Sequence, residues 1–219
     1  MNLVPLLISL RVASLAALLS LLVGVPLATL LARRTSVWSR LLDAFATLPL
    51  VLPPTVLGYY LLVALGARSP LGAALENLGL PLVFTWRGAV LAASFVALPL
   101  ITQSARAALE SVDPDLEDVA RTLGHSELSV FFTIRLPLAW RGILAGIVLA
   151  FARALGEFGA TLLVAGNIPG STQTMPIAIY DAVQRGEQAT ANILALILTS
   201  VALILLISIR RFGQSLGNE

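Results

Sequence analysis

The run VASLAALLSLLVGVPLATLLA, residues 12–32, contains no charged residue. A helix of this length crosses the hydrocarbon core of a bilayer, which is about 30 Å thick. An isolated strand in lipid leaves its backbone groups unpaired, so the run predicts a membrane-spanning helix. Residues 3–10 before it are apolar and are followed by Arg11, which indicates an interfacial segment ahead of the first span.

Four more apolar runs follow, at residues 44–67, 88–105, 138–166 and 189–209, of which only 138–166 contains charged residues. Of the 219 residues, 58% are hydrophobic and only 12% are charged, whereas a soluble domain has about 25% charged residues. We therefore predict an all-α, polytopic membrane protein with about five spans. No repeat or linker divides the chain, so residues 1–219 are predicted to form a single domain.

Basic residues predict the orientation of the spans, because they collect in cytoplasmic loops. With the N-terminus outside and the C-terminus inside, nine arginines lie on the cytoplasmic side and four on the other, while Arg153 lies in the membrane. The nine are Arg33, Arg34, Arg40, Arg106, Arg121, Arg135, Arg141, Arg210 and Arg211, and the four are Arg11, Arg68, Arg87 and Arg185. This orientation is therefore the predicted one.

Composition excludes several functions. The chain contains no lysine, so the phosphate-binding loop G-x-x-x-x-G-K-[ST] is absent and any ATP hydrolysis must occur on another chain. It has no cysteine and a single histidine, so we expect no metal site and no enzymatic activity of its own. The small formal net charge of +2 gives no sign of nucleic-acid binding.

The main polar insert, residues 110–137, lies between predicted spans three and four. Asp113 is typical of a helix start and Gly124 of a helix end, while Ser126 starts a second short helix that Pro137 is expected to end. The first helix carries an apolar stripe at i, i+3, i+4 and i+7, formed by Leu116, Val119, Ala120 and Leu123. Two short helices joined by a glycine turn form a rigid projection suited to docking. The alternative is a solvated loop.

The insert resembles a cytoplasmic motif of permease subunits in binding-protein-dependent ABC transporters. That motif has an acidic residue, two small residues, three of any kind, glycine, nine of any kind, isoleucine, one of any kind, leucine and proline. The matching residues are Asp118, Val119, Ala120, Gly124, Ile134, Leu136 and Pro137, with Asp and Val where the family has Glu and Ala. The resemblance implies a type I ABC importer transmembrane domain whose insert couples to an ATPase. His125 is expected either to contact that ATPase or to be a solvated turn residue.

Other stretches resemble the molybdate permeases of that family, over essentially the whole chain. They are LPLVLPPTVLGYYLL (48–62), WRGAVLAA (86–93), FARALGEFGAT (151–161) and GNIPGSTQTMPIAIY (166–180). The resemblance implies a subunit that imports molybdate, with tungstate also accepted. Sulfate and thiosulfate permeases share parts of these stretches and are the alternative within the family.

The same resemblance implies the partners and the location. We expect a homodimer of this chain in the lipid of the bacterial cytoplasmic membrane, with two ATPase subunits and a periplasmic or extracytoplasmic molybdate-binding protein. ATP and magnesium would bind to the ATPase subunits, so no cofactor is expected in this chain. A non-transporting membrane anchor is the alternative from another class, and it leaves the rigid insert unexplained.

Irregular or charged positions within the spans are candidates for the translocation path or gate. Pro53 and Pro54 break or bend span two, and such backbone in lipid lies at a helix interface or along a water-lined path. A kink that only improves packing is the alternative. Arg153 and Glu157 lie one turn apart, either as a structural ion pair or as part of the path. Asn167 begins a neutral polar loop that suits a passing oxyanion, and the amphipathic helix after it is expected at the outer surface.

Overall fold

The structure, a computed structural model, describes residues 3–33 and 36–215. In these ranges every regular element is helical and no strand occurs. The helices are α1 (Val4–Leu31), α2 (Val37–Val51), α3 (Pro54–Leu65), α4 (Pro70–Asn77), α5 (Trp86–Glu110), α6 (Pro114–Thr122), α7 (Glu127–Val130), α8 (Leu136–Leu155), α9 (Gly159–Ala165), α10 (Met175–Gln184) and α11 (Gln188–Ser215).

The predicted number of spans is confirmed. Within the described residues, four helical stretches are long and apolar enough to cross a membrane: α1, α5, the continuous stretch Glu127–Leu155, and Gln188–Leu205 of α11. Helices α2 and α3 form a pair bent by 115° at a short break, and they make a fifth span if they are taken together. The break falls where Pro53 and Pro54 remove two backbone donors, as predicted.

Helix α5 lies at the centre of the bundle, with α1 and α8 packed against it along much of its length. The contact surfaces consist largely of alanine, which lets helix backbones approach closely. The buried alanines of this core are Ala13, Ala16, Ala89, Ala93, Ala97, Ala150, Ala154 and Ala165. A second cluster joins the ends of α1 and α5 to the start of α8, and it forms the base of the polar insert.

The interfacial segment predicted for residues 3–10 is wrong, because α1 begins at Val4 and continues without interruption. Arg11 therefore lies inside the helix. Its guanidinium carbon lies 3.8 Å from the ring centroid of Trp86, the first residue of α5. Stacking on an indole face stabilises the cation, so the arginine does not need to end the helix.

The single helix predicted for residues 138–166 is also wrong. Helix α8 ends at Leu155, and α9 starts at Gly159 after a short non-helical step. The carboxylate of Glu157, in that step, accepts a hydrogen bond from the backbone N–H of Ala160 at 2.9 Å. A side chain that caps backbone donors starts a new helix, so the charged residue interrupts the span.

Pro137 does not end the second helix of the insert, contrary to expectation. Helix α7 continues through a π-helical turn, Phe131–Arg135, directly into α8, and Pro137 lies in the first turn of α8. The N–H of Leu136 donates to the carbonyl of Phe131, as the wider π turn requires. Proline inside a continuous helix removes one hydrogen bond, and the irregular π-helical turn lies directly before it.

The helix ends define two sides of the molecule. On the first, which we call the insert side, Arg106 near the end of α5 pairs with Asp43 of α2 at 3.0 Å, next to α6 and α7. On the opposite side, the hydroxyl of Ser9 near the start of α1 accepts from the N–H of Met175 at 2.7 Å. The predicted amphipathic helix after the polar loop is therefore α10, and it packs on α1 at the opposite side.

Candidate coupling surface and translocation path

The local chemistry predicted for the insert is confirmed. The side chain of Asp113 accepts from the N–H of Asp115 at 3.0 Å, and α6 begins with Pro114. Gly124 has φ +85°, and a Cβ added there would meet nothing within 4 Å. The left-handed conformation, rather than a lack of space, therefore calls for glycine. Ser126 accepts from the N–H of Ser129 at 3.3 Å and caps α7.

The apolar stripe of α6 faces outward. Leu116, Val119 and Leu123 are 49%, 59% and 75% exposed, whereas Ala120 is buried. Leu128 and Phe132, on the following helical segment, are also largely exposed. Contiguous apolar side chains on an exposed, rigid projection mark a protein interaction site. The insert therefore consists of helices with an exposed apolar face rather than an irregular loop.

The residues of the predicted coupling motif fall into two groups. Those that lie on the surface are Asp118, Val119, Gly124, His125 and Pro137. Those that are buried or half-buried are Ala120, Ile134 and Leu136. Ile134 and Leu136 pack on the cluster formed by α1, α5 and α8, so the motif combines an exposed surface with an anchor.

Several polar side chains of the insert form hydrogen bonds and ion pairs with one another. Arg121 donates to Glu127 at 2.7 Å and to Asp118 at 2.6 Å. These hydrogen bonds, that to Glu127 first, raise the pKa of Arg121 above its ordinary value, so the guanidinium stays charged. His125 Nδ1 lies 3.0 Å from the hydroxyl of Ser129. Both predicted readings of His125, a partner contact and a turn residue, are compatible with this position.

One residue of the insert lies outside the motif and takes an unexpected position. The spacing on α6 places Glu117 off the apolar stripe, which predicts a solvated carboxylate. In the structure Glu117 is 2% exposed, and its carboxylate pairs with Arg33 at 2.9 Å and with Arg121 at 3.0 Å. The signal in the sequence for this buried position of Glu117 is the abundance of arginine in the segments before and after α6.

The two helix breaks lie next to each other. Pro53 precedes α3 and Gly159 begins α9. A Cβ added to Gly159 would lie 2.9 Å from Cγ2 of Thr55 and 3.5 Å from Cβ of Pro54. From this point α3 and α9 run side by side towards the opposite side, where the carbonyl of Val164 accepts from the N–H of Phe84 at 2.9 Å.

Arg153 and Glu157 form an ion pair at this junction, with 2.8 Å between Nη1 and Oε2. The Glu157 side chain is almost completely buried, while that of Arg153 is 33% exposed. Because the other carboxylate oxygen caps α9, Glu157 joins the end of α8 to the start of α9. The buried Glu157 fits the predicted structural ion pair, and the partly exposed Arg153 is also compatible with the other predicted role, a position along the path.

Asn167 does not lie with the other candidate residues. It follows α9, whose seven residues span about 10 Å, on the opposite side of the molecule. Its side-chain oxygen accepts from the amide of Gln173 at 2.9 Å. Thr172 of the same loop is fully buried and donates to the carbonyl of Gly166 at 3.2 Å. Several polar side chains of this loop therefore bind one another.

The described part of the chain contains no group of three or more His, Asp or Glu side chains able to bind a metal ion.

The chain is a bundle of apolar helices with broken helices inside it and a two-helix projection on one side, which is the architecture of a membrane transport subunit. The family of binding-protein-dependent transport system inner membrane components matches residues 24–217. The chain belongs to this family.

Two individual members of the family share about half of their aligned residues with this chain. The chain is 50% identical over 205 residues to the molybdenum transport system permease protein ModB of Escherichia coli K12, covering 92% of this chain and 90% of the relative. It is 47% identical over 203 residues to the ModB protein of Haemophilus influenzae, covering 90% and 89%.

Among solved structures, a chain of the MetNI methionine ABC transporter in an inward-facing conformation superimposes with a TM-score of 0.74. The sequence identity is 15%, and the match covers 96% of this chain and 94% of that chain. This likeness establishes the fold, a type I ABC importer transmembrane domain, which is the predicted fold class.

Proposed function

We propose that the chain is the permease subunit of an ABC importer for molybdate, driven by ATP hydrolysis on a separate subunit. The observation that carries the proposal is the identity of 50% and 47% to two molybdenum transport permeases over about nine-tenths of the chain. The match spans the insert and the helix breaks together, so it concerns the whole transport domain. Tungstate, a similar oxyanion, would also be accepted.

The proposed assembly contains two copies of this chain, two ATPase subunits and an extracytoplasmic molybdate-binding protein, in the bacterial cytoplasmic membrane. The insert side faces the cytoplasm in this proposal, with the N-terminus outside and the C-terminus inside. The exposed apolar residues of α6 support an ATPase docking site there. ATP and magnesium bind to the ATPase, and this chain has no enzymatic role of its own.

The coupling surface in this proposal consists of the motif residues of the insert. The ATPase contacts the exposed face of the insert, which carries Asp118, Val119, Gly124 and His125. The buried or half-buried members, Ala120, Ile134 and Leu136, anchor that face to the membrane helices, and the exposed Pro137 lies in the first turn of α8. The split between surface and anchor residues supports a rigid lever, since a docking residue transmits force only if its support is fixed.

The translocation path is proposed to pass the junction of α3 and α9, with Pro53, Pro54, Arg153 and Glu157 along the path or at its gate. Non-helical backbone at membrane depth is tolerated where protein or water surrounds it. The Arg153–Glu157 pair leaves little net charge, which suits a dianion that must be released again. Asn167 is assigned to the outer end of the path.

Uptake into proteoliposomes tests the proposal. The chain is reconstituted with its ATPase and binding-protein partners, and the import of labelled molybdate is compared with that of labelled sulfate, with ATP and without it. We expect ATP-dependent import of molybdate that a tenfold excess of sulfate does not suppress. Import of sulfate or thiosulfate but not of molybdate would identify the chain as a sulfate or thiosulfate permease instead. The absence of any import would favour the alternative of a non-transporting membrane anchor.

A further inference from the structure

The inner face of α6 carries a buried carboxylate that links the insert to the membrane helices. Within the described residues, three arginines surround Glu117, and each belongs to a different part of the chain. Arg33 follows α1, Arg121 lies on α6 itself, and Arg135 lies in the π-helical turn before α8. The Glu117 side chain is 2% exposed, so this cluster forms an interior joint rather than a surface ion pair.

Arg33 connects this joint to α1 and to the end of α5. Its Nη1 donates to Glu117 at 2.9 Å, its Nη2 donates to the carbonyl of Val112, and its backbone N–H donates to Glu110 at 3.3 Å. Arg33 also has φ +58°, a left-handed conformation that non-glycine residues seldom adopt. Such a conformation persists where the surroundings over-determine it, and here three hydrogen bonds do so.

Arg135 connects the joint to α8. Its Nε lies 3.3 Å from Oε1 of Glu117, an ion pair without a hydrogen bond at Nε. Its side chain is 17% exposed, the most buried of the three arginines. The π turn that carries Arg135 is the element between the insert and α8, and π turns in helices are frequent at functional positions.

The electrostatics of the joint depend on Glu117. A buried carboxylate with good partners is tolerated, whereas removal of one partner leaves uncompensated charge. Here two of the arginines come from outside α6, so the loss of the carboxylate would leave both without the anion that holds them to that helix. Arg121 would keep Asp118 and Glu127 as partners. Loss of the Glu117 carboxylate would therefore weaken the attachment of α6 to the bundle, while the ion pairs of Arg121 with Asp118 and Glu127 would remain.

We propose that Glu117 is a positioning residue that makes α6 move as one body with the insert-side ends of α1, α5 and α8. Displacement of the insert by the ATPase then reaches the membrane helices. The inference rests on the proposed function, because it presumes an ATPase that grips the insert. It adds a residue beside the coupling motif to the motif's own anchor residues, Ala120, Ile134 and Leu136.

The amount of molybdate imported per ATP hydrolysed measures how well Glu117 couples α6 to the membrane helices. In the reconstituted complex, Glu117→Gln is expected to lower the amount of molybdate imported per ATP hydrolysed by about fivefold or more, within the range of typical coupling energies. Asp115→Asn, an exposed acid on the same helix, is the matched control and should keep the ratio. An unchanged ratio in Glu117→Gln would overturn the proposal.

A second variant covers the case in which Glu117→Gln does not assemble. Arg33→Gln removes the link to α1 but leaves Glu117 paired with Arg121 and Arg135. Arg33→Gln is expected to lower the amount of molybdate imported per ATP hydrolysed. A value equal to that of the unmodified chain would contradict the proposed role of the joint. If no ATPase subunit co-purifies with the unmodified chain, the proposed function fails instead, and the two failures are thus distinguished.

Spin-label distances test the rigid connection without reliance on activity. The chain contains no cysteine, so Leu30→Cys on α1 and Thr122→Cys on α6, both exposed positions, provide labels at chosen sites. In the otherwise unmodified complex, the distance within one subunit should be the same with and without ATP. In Arg33→Gln or Glu117→Gln the distribution should broaden. A distance that changes with ATP in the unmodified complex would overturn the proposal.

Discussion

The Cβ atom that Gly58 lacks would lie 2.7 Å from the Cα atom of Ala160, so α3 and α9 touch backbone to backbone. Small residues allow such close approach of helices in a membrane. The contact holds together the two short helices that begin at the breaks in spans two and four. The proposed translocation path passes beside this contact.

Gly58→Ala should therefore separate α3 from α9. The atom that the new methyl group would meet belongs to the backbone of Ala160, which cannot rotate away as a side chain does. Overpacking of this kind costs about 1–3 kcal/mol, so we expect a lower melting temperature of the detergent-solubilised protein and weaker molybdate import. Gly156→Ala is the control, because its nearest neighbour would be the Ala152 carbonyl oxygen at 3.8 Å. Equal losses in both variants would contradict the argument.

Glu157→Gln should destabilise the junction of α8 and α9. The amide oxygen can still accept from Ala160, but its NH₂ group would face the guanidinium of Arg153. An unpaired partner of a partly buried ion pair costs about 1–3 kcal/mol, which thermal unfolding of the purified protein would measure. Asp181→Asn, in the more exposed pair with Arg185, should cost less than about 1 kcal/mol. If Glu157→Gln melts like the unmodified chain, both charges must reach water.

Gly124→Pro should abolish ATP-dependent import while leaving membrane insertion intact. Proline fixes φ near −65°, whereas Gly124 has φ +85° and donates its N–H to the carbonyl of Arg121 at 3.0 Å. The turn between the helices of the insert would therefore change. Gly79→Pro is a matched control on the opposite side, with φ +70° and an N–H bonded to Glu76 at 2.9 Å. Normal import by Gly124→Pro would remove the coupling role of the turn.

Cysteine labelling should determine the orientation. In a chain without native cysteine, Thr122→Cys on the insert and Glu187→Cys before α11 place one thiol on each side, both at exposed positions. A membrane-impermeant maleimide added to intact cells is expected to label position 187 and not position 122. Each variant is the control for the other, since lysis should expose both. Labelling of position 122 in intact cells would place the insert outside.

Local chemistry was sufficient to predict both starts of the insert helices and the end of the first, but not the end expected at Pro137. Asp113 and Ser126 cap the two helices, and Gly124 turns the chain between them, as their types and spacing indicated. Each of these features depends on atoms a few residues away along the chain. The same holds for the break at Pro53 and Pro54, where two adjacent residues lack an N–H, whereas the single prolines Pro26, Pro49 and Pro99 lie inside helices.

Partners distant in the chain account for most of what could not be predicted. Arg11 looks like a helix boundary in the sequence, but Trp86 of α5 stacks on it and the helix continues. The pair Arg153 and Glu157 has a spacing equally compatible with an unbroken helix. The break at residues 156–158, which contains Glu157, accompanies the packing of Gly159 against Thr55 of α3, a contact that no local pattern reports.

The apolar composition by itself determined that this chain is a bundle of membrane helices with a polar insert, because lipid leaves no other way to pair the backbone. The tertiary structure alone decided which face of the insert turns inward. The amphipathic pattern of α6 does not say which face packs on the bundle, and in the structure Glu117 is buried whereas Leu116, Val119 and Leu123 are exposed. The reason is that Arg33 and Arg135, brought beside α6 by other helices, provide the charge that a buried carboxylate requires.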